Sequence, residues 1–243
     1  MQFGLCLREG LMPHWPHSRR VLTPSQEMVS CLRDYIEKDG TVIKAILFDL
    51  GGVLVPIEFS RAYARLAVLA GLQPTEVQQR LANFELGPKF DRGLCTEEEY
   101  ISGINSLFTL ALTRPEFEAL WCSILVPSEI VPEPLIASLR PQFRLIGVSD
   151  TNPIHFAAVR DRYPAVQHFS GFALSYEVRA TKPTPDIYLA AVRLAQCSPA
   201  ECLYIDDIER HVEGARRCGL SAMRFVGMPQ FEGELRNAIN GAR

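Results

Sequence analysis

Short apolar segments alternate with amphipathic segments along most of this chain, a pattern that is typical of α/β proteins. The first apolar segment begins at Ile46 and runs directly into Asp49. Further strands are predicted near 143–149, 170–175, 202–206 and 222–226, with helices between them. Apolar runs of this kind are typical of strands that are covered on both faces. The pattern therefore predicts an α/β fold with a doubly wound parallel sheet.

Residues 57–140 interrupt this alternation, because no strand pattern occurs within them. Amphipathic helices, separated by Gly or Pro, are predicted at Phe59–Ala70, Thr75–Glu85, Thr96–Leu110 and Arg114–Cys122. Ordinary crossover helices of the sheet are one interpretation, but a single crossover needs only about a dozen residues. The greater length favours a separate helical insert.

Two predicted helices lie near the ends of the chain. Residues 1–41 form an N-terminal extension in which Thr23 and Pro24 begin one amphipathic helix that ends at Gly40. We expect residues before about Thr41 to be dispensable for folding and catalysis. A last helix is predicted at Gln230–Asn240.

The composition narrows the class of protein. The chain has 243 residues, of which 47% are hydrophobic, and this is enough for a full core. A net charge of −3 argues against a nucleic-acid partner, and no apolar run approaches the roughly 18 residues of a membrane span. Seven cysteines without zinc-site spacing indicate reduced thiols, so we expect a cytoplasmic protein with neither nucleic-acid nor membrane partners.

Chemically active side chains follow three of the predicted strands. Asp49 ends the first strand, Ser149 the second, and Asp206 with Asp207 a later one. Ligands of open parallel sheets bind beyond these carboxyl ends. Asp49 has the chemistry to ligate a metal or to attack phosphorus. Ser149 either hydrogen-bonds a phosphoryl oxygen or caps the helix that starts near Pro153.

Two further features indicate an anion and a cation at this edge. Lys182 lies in a loop between turn-forming residues, where it is a candidate for holding an anion. The adjacent carboxylates of Asp206 and Asp207 repel each other unless a cation or hydrogen-bond donors offset them. Hard oxygen ligands of this kind suit Mg²⁺. Gly51 and Gly52 leave room where the backbone turns sharply or approaches a ligand.

In this order, the segments resemble the four motifs of the haloacid dehalogenase-like hydrolase superfamily. The motifs are Asp49 with its glycines, Ser149, Lys182-Pro183, and Asp206-Asp207 with Val212-Glu213-Gly214-Ala215. The resemblance covers about residues 43–240 and is strongest to the branch that holds sugar-phosphate phosphatases and the phosphatase domain of some epoxide hydrolases. Phe90–Gly93 and Thr96–Tyr100 add to it. It implies a Rossmann-like core of 42–56 and 141–243, with 57–140 as an α-helical cap.

The resemblance also implies a mechanism. Asp49 would attack the phosphorus of a small phosphorylated substrate, either a sugar phosphate or an acyl phosphate, and water would hydrolyse the aspartyl-phosphate. Mg²⁺ would be held by Asp49, the main-chain carbonyl of Gly51, and Asp206 or Asp207. Ser149 and Lys182 would stabilise the phosphoryl oxygens, with Gly51, Gly52 and Asp150 beside them in the substrate site.

Three positions depart from the family pattern. Gly51 stands where phosphatases of the family carry a second Asp, the general acid–base, which contributes about 10²–10⁴-fold. Asp150 stands in place of Asn, so it would repel phosphate when ionised or supply the missing proton when protonated. His211 replaces another Asn. A metal-independent dehalogenase and a non-catalytic binding protein of the same fold are the competing hypotheses.

Overall fold

The computed structural model describes residues 42–231, which contain a five-stranded sheet. Its strands are Ala45–Phe48 (β1), Arg144–Ser149 (β2), Gly171–Leu174 (β3), Cys202–Asp206 (β4) and Ser221–Arg224 (β5). All neighbouring strands are parallel, in the order β3-β2-β1-β4-β5. The chain therefore builds outwards from β1 in both directions, which confirms the predicted doubly wound α/β fold.

The register of the sheet aligns the ends of its central strands. Phe48, the last residue of β1, pairs with Gly147 of β2 on one side and with Ile205 of β4 on the other. Every residue of β1 and β4 is buried, as the apolar runs in the sequence predicted. Because parallel strands end at the same edge, Asp49, Ser149 and Asp206 meet there.

Ten α-helices are described within residues 42–231. Those between β1 and β2 are Phe59–Ala70 (α1), Pro74–Ala82 (α2), Leu86–Phe90 (α3), Glu97–Phe108 (α4), Arg114–Trp121 (α5) and Glu133–Leu139 (α6). Those after β2 are Pro153–Arg162 (α7), Ser175–Val178 (α8), Pro185–Ala195 (α9) and Glu209–Arg217 (α10). The four helices predicted in the insert are present. The sequence analysis missed α3 and α6, because five and seven residues are too few to show a helical period.

Aromatic rings hold the helical insert together and join it to the rest of the protein. The Tyr100 ring stacks on Phe90 with centroids 4.2 Å apart and meets Trp121 edge to face at 5.5 Å. Trp121 in turn lies parallel to the ring of His155 on α7, at 5.8 Å. The insert thus contacts the helix that follows β2. The division into a core and a cap at residues 57 and 140 stays a prediction.

The two terminal predictions fall largely beyond the described part of the chain. The predicted amino-terminal helix and most of the helix predicted at Gln230–Asn240 lie outside residues 42–231. Among the helices that are described, none is long and apolar enough to cross a membrane.

Candidate functional site

A cavity of about 490 Å³ opens at the carboxyl edge of the sheet, between the strand ends and the helical insert. Seven of the eight residues that the sequence placed in the site line it: Asp49, Gly51, Gly52, Ser149, Asp150, Lys182 and Asp207. The eighth, Asp206, is fully buried and reaches the site through Lys182. The tertiary structure therefore brings all of the predicted residues together.

Asp49 is fixed immediately after β1. Its main-chain N–H donates to Ile205 O at 2.9 Å, and its Oδ1 accepts from Leu50 N at 2.7 Å and from Lys182 Nζ at 2.8 Å. Burial raises the pKa of Asp49 to about 8, an effect that the charge of Asp206 increases and that of Lys182 opposes. This pKa already includes the effect of Lys182, so Asp49 needs further positive charge, such as a bound cation, to be fully ionised at neutral pH.

Lys182 places a positive charge beside Asp49 from a buried position. Its Nζ lies 2.8 Å from Asp49 Oδ1 and 2.9 Å from Asp206 Oδ2. Burial by itself lowers the pKa of a lysine, but the carboxylates of Asp49, Asp206 and Asp150 outweigh it, and the pKa of Lys182 is raised. The main-chain N–H of Lys182 donates to Asp150 Oδ1 at 3.0 Å. Asp150 therefore holds the loop that carries the ammonium group.

Asp206 has hydrogen-bond partners on both of its oxygens. Oδ1 accepts from Ile208 N at 2.8 Å, and Oδ2 accepts from Lys182 Nζ and from the Tyr204 hydroxyl. His211 Nδ1 lies 3.2 Å from both oxygens. Burial favours the neutral acid, but these partners outweigh it and lower the pKa of Asp206. The arrangement makes Asp206 an anchor for the side chains around it.

Asp207 differs from its neighbour, because its Oδ1 is buried and has no hydrogen-bond partner among the described residues. A Cβ at Gly52 would lie 2.5 Å from the other oxygen, Asp207 Oδ2, and Gly52 has a φ of +80°. Glycine is therefore required at position 52 on both counts. Gly51 has no such backbone requirement, since its φ lies outside the left-handed region.

This cluster has the donor chemistry of a divalent-cation site. A buried carboxylate oxygen without a donor is costly unless a cation meets it. Asp49, Asp206 and His211 each place one potential ligand atom within 4.8 Å of the others. The carboxylates are the hard oxygen donors that Mg²⁺ prefers, whereas His211 Nδ1 is already shared with Asp206. The residues present therefore fit the predicted Mg²⁺.

The structure excludes one of the two interpretations of Ser149. Asn152 caps α7, because its Oδ1 accepts from His155 N at 3.0 Å. The capping interpretation of Ser149 is therefore wrong. Ser149 lies in the cavity wall with 6% of its surface exposed, where its hydroxyl is available to a bound group.

The sequence analysis missed the residues on the opposite wall of the cavity. Asn152 Nδ2 donates to Asp91 Oδ1 at 3.2 Å and lies 3.1 Å from His155 Nδ1. His155 Nε2 lies 3.1 Å from Trp121 O. Burial lowers the pKa of His155 to about 4, so the ring is neutral at pH 7. No local pattern reveals these contacts, since Asp91 and Asn152 are 61 positions apart.

Comparisons with known proteins identify a family and several relatives of this chain. A family model described as haloacid dehalogenase-like hydrolase matches residues 43–219. A D-ribitol-5-phosphate phosphatase of Bacteroides thetaiotaomicron is 23% identical over 82% of this chain and 100% of its own. An N-acetylmuramic acid 6-phosphate phosphatase of Pseudomonas aeruginosa is 26% identical over 75% of this chain and 82% of its own.

A solved structure shares the fold. A HAD family enzyme from Bacteroides thetaiotaomicron, in complex with magnesium and inorganic phosphate, is 28% identical with a TM-score of 0.66. The match covers 75% of this chain and 93% of that protein.

Proposed function

The chain belongs to the haloacid dehalogenase-like hydrolase family, and from that premise we propose a Mg²⁺-dependent phosphatase of a small phosphorylated metabolite, acting through an aspartyl-phosphate. The observation that carries the proposal is the position of Lys182, whose Nζ lies 2.8 Å from Asp49 in a cavity that Ser149 also lines. A nucleophile beside a buried cation and a hydroxyl is suited to a phosphoryl group. The similarity to phosphatases of small phosphorylated compounds supports the same reaction class.

In this mechanism the carboxylate of Asp49 attacks phosphorus and displaces the leaving group. The Ser149 hydroxyl and the Lys182 ammonium group hold the equatorial oxygens, where charge must be offset during phosphoryl transfer. Water then hydrolyses the aspartyl-phosphate. The loop that Asp150 holds through the Lys182 main chain keeps the ammonium group in place during both steps.

The proposed metal ligands are Asp49, Asp207 and the main-chain carbonyl of Gly51. Bound there, Mg²⁺ would supply positive charge opposite the phosphate. Asp206 was a predicted ligand as well, but both of its oxygens accept hydrogen bonds within the protein. We therefore assign Asp206 to holding Lys182 and His211, and we assign the direct contact to Asp207, whose Oδ1 has no partner within residues 42–231.

Gly51 leaves the proposed reaction without the usual proton donor. Asp150 lines the cavity, and partial burial raises its pKa, against the opposing charge of Lys182. Asp150 is therefore the first candidate for a replacement acid. Alternatively, a sugar 1-phosphate or an acyl phosphate carries a leaving group that needs little protonation.

Phosphate release measured with and without Mg²⁺ tests the proposal. Acetyl phosphate and a set of sugar phosphates are incubated with wild type and with Asp49→Asn, in Mg²⁺ or in excess chelator. We expect the wild type to release phosphate only when Mg²⁺ is present. Undiminished release in chelator would overturn the Mg²⁺ requirement, whereas release of halide from a 2-haloacid without release of phosphate would favour the dehalogenase. The absence of release from every compound would favour the non-catalytic binding protein, which Gly51 and Asp150 also suit.

A further inference from the structure

Two cysteines are in contact at the edge of the sheet that lies opposite the cavity. Cys197 Sγ lies 3.4 Å from Cys202 Sγ. Cys202 is the first residue of β4 and pairs in register with Ala45, the first residue of β1, so the contact lies at the amino edge of the sheet. Neither cysteine lines the cavity. The pair is therefore separate from the candidate functional site.

The turn between the two cysteines is held by its own hydrogen bonds. Ser198 N and Ser198 Oγ donate to Glu201 Oε2 at 2.8 and 2.9 Å, and Glu201 N donates to Ser198 O at 3.0 Å. Glu201 also forms an ion pair with Lys44, and its carbonyl accepts from Lys44 N at 2.8 Å. The turn is thus tied to the residue before β1. Because both of its ends are fixed, the sulfur atoms stay close to each other before any reaction occurs.

The two cysteines differ in access to solvent and in acidity. Cys197 is half-buried, whereas Cys202 is buried and its thiol donates to Ser198 O at 3.5 Å. Burial raises the pKa of the Cys202 thiol, and the adjacent Cys197 raises it further. A thiol reacts with oxidants as the thiolate, and reaction requires access. A soluble oxidant therefore meets Cys197 first, with the Cys202 sulfur held directly behind it.

The other cysteines of the described part of the chain lack such a neighbour. Within residues 42–231, Cys197 and Cys202 are the one pair of cysteines whose sulfur atoms are in contact. Burial raises the pKa of the Cys95, Cys122 and Cys218 thiols. An oxidised cysteine without a partner thiol stops at the sulfenic acid or is oxidised further, whereas an adjacent thiol converts the sulfenic acid to a disulfide.

We propose that Cys197 and Cys202 form a reversible redox-modification site, which reacts with a hydroperoxide and closes to an intramolecular disulfide. In the first step the Cys197 sulfur attacks a peroxide oxygen: the S–O bond forms, the O–O bond breaks, and the other oxygen leaves with the thiol proton as water or an alcohol. In the second step the Cys202 sulfur attacks the Cys197 sulfur: the S–S bond forms, the S–O bond breaks, and the hydroxyl group leaves as water with the Cys202 proton. The sulfur pair loses two electrons, and the peroxide gains them.

Peptide masses test this proposal on the folded, full-length protein. The protein is treated with hydrogen peroxide in the presence of dimedone, which reacts with sulfenic acids, and the remaining thiols are then alkylated in denaturant. Trypsin cleaves after Arg193 and Arg210, so the peptide Leu194–Arg210 contains both cysteines and no others. The masses report on the thiols alone. The result is therefore independent of the proposed phosphatase activity.

We expect the oxidised wild type to yield Leu194–Arg210 without alkyl groups and lighter than the reduced peptide by two hydrogen atoms. Dithiothreitol added before alkylation should restore two alkylated cysteines. In Cys202→Ala the sulfenic acid has no partner thiol, so dimedone labelling of Cys197 should rise at least about 10-fold over the wild type. In Cys197→Ser the buried Cys202 should remain reduced.

Cys218→Ser is the matched control, because it removes another half-buried thiol and should leave the disulfide unchanged. A Leu194–Arg210 peptide that stays alkylated at both cysteines while Cys95 or Cys218 is labelled by dimedone would overturn the proposal. Linkage of Cys202 to any cysteine other than Cys197 would also overturn it. So would equal dimedone labelling of Cys197 in the wild type and in Cys202→Ala. If Cys202→Ala does not fold, Cys197→Ser still decides, since oxidation of Cys202 in that variant would contradict the proposed order of attack.

Discussion

Lys182 keeps its charge in a buried position because two carboxylates flank it. Taking an ammonium group out of water costs several kcal/mol unless it is paired. Asp49 and Asp206 provide that pairing at 2.8 and 2.9 Å. Each of the three side chains consequently depends on the others for its ionisation state, so a substitution at any of them is felt by the whole group.

Asp49→Asn tests the nucleophile within this group. The amide is similar in size but cannot form an acyl phosphate, so we expect phosphatase activity to fall by more than about 10³-fold. Phosphate release and the thermal unfolding midpoint are measured on the same preparation. Retained turnover in a folded Asp49→Asn protein would exclude the aspartyl-phosphate mechanism.

Gly51→Asp tests the missing general acid. A side chain at this position has an acceptable backbone conformation, and its Cβ meets the end of the flexible Ile57 side chain, at 2.7 Å from Cδ1. We expect turnover of alkyl phosphates to rise by about 10-fold or more, within the usual contribution of a general acid. Gly51→Asn has the same bulk without the acid and should give no such gain.

The measurement is the slope of log rate against leaving-group pKa for Gly51→Asp and wild type. We expect a steep slope for the wild type, because poor leaving groups need a proton. A flat wild-type slope would mean that another group, with Asp150 as the first candidate, already supplies it.

Close packing of α10 against the lysine loop depends on Gly214. A Cβ there would lie 2.7 Å from Pro183 Cβ and 2.8 Å from the Tyr188 hydroxyl oxygen. We expect Gly214→Ala to lower the free energy of unfolding by about 1–3 kcal/mol through overpacking. Activity should fall as well, because Pro183 adjoins Lys182. Gly87→Ala is the control in denaturant unfolding, since a Cβ at Gly87 meets nothing within 4 Å.

The contact between the insert and α7 should make stability depend on pH. Burial lowers the pKa of His155 from 6.5 to about 4, so between these values the unfolded chain binds a proton that the folded protein excludes. The stabilising contribution is complete above pH 6.5 and is lost as the pH falls towards 4, by up to about 3 kcal/mol. Other groups titrate in the same range and must be subtracted.

His155→Gln supplies that subtraction. The variant lacks the titrating ring but keeps the remaining groups, including Arg162, whose charge also lowers the pKa of His155. Free energies of unfolding at pH 7 and pH 4.5 should therefore differ less in His155→Gln than in the wild type. An equal pH dependence in both proteins would show that folding does not lower the pKa of His155.

All proposed site residues and the five described strands lie after residue 41. We therefore expect a chain that starts at Val42 to fold and to keep the activity of the full-length protein. Thermal unfolding and phosphate release of the two proteins are compared. A truncated protein that is insoluble would show that the helix predicted to end at Gly40, whose apolar positions include Met28, Leu32 and Ile36, covers part of the core.

The sequence by itself determined the layers of the fold and one side of the site. Buried strands need continuous apolar runs, so β1 and β4 were visible, and the acids that end these runs identified Asp49, Asp206 and Asp207. Helix α3 could not be predicted, because a helix of five residues that contains Gly and Pro shows no helical periodicity of apolar residues. The local pattern thus predicted those elements that are long enough to show a repeat of apolar positions.

Only the tertiary structure determined which role each of these residues has. The sequence treated Asp206 and Asp207 as equivalent, but in the described part of the chain packing gives Asp206 its partners and leaves Asp207 Oδ1 without one. Packing also makes Asn152 the cap of α7 instead of Ser149, and it places Asp91 at the cavity. Hydrogen bonds between distant segments depend on where whole helices come to rest, and no short stretch of sequence contains that information.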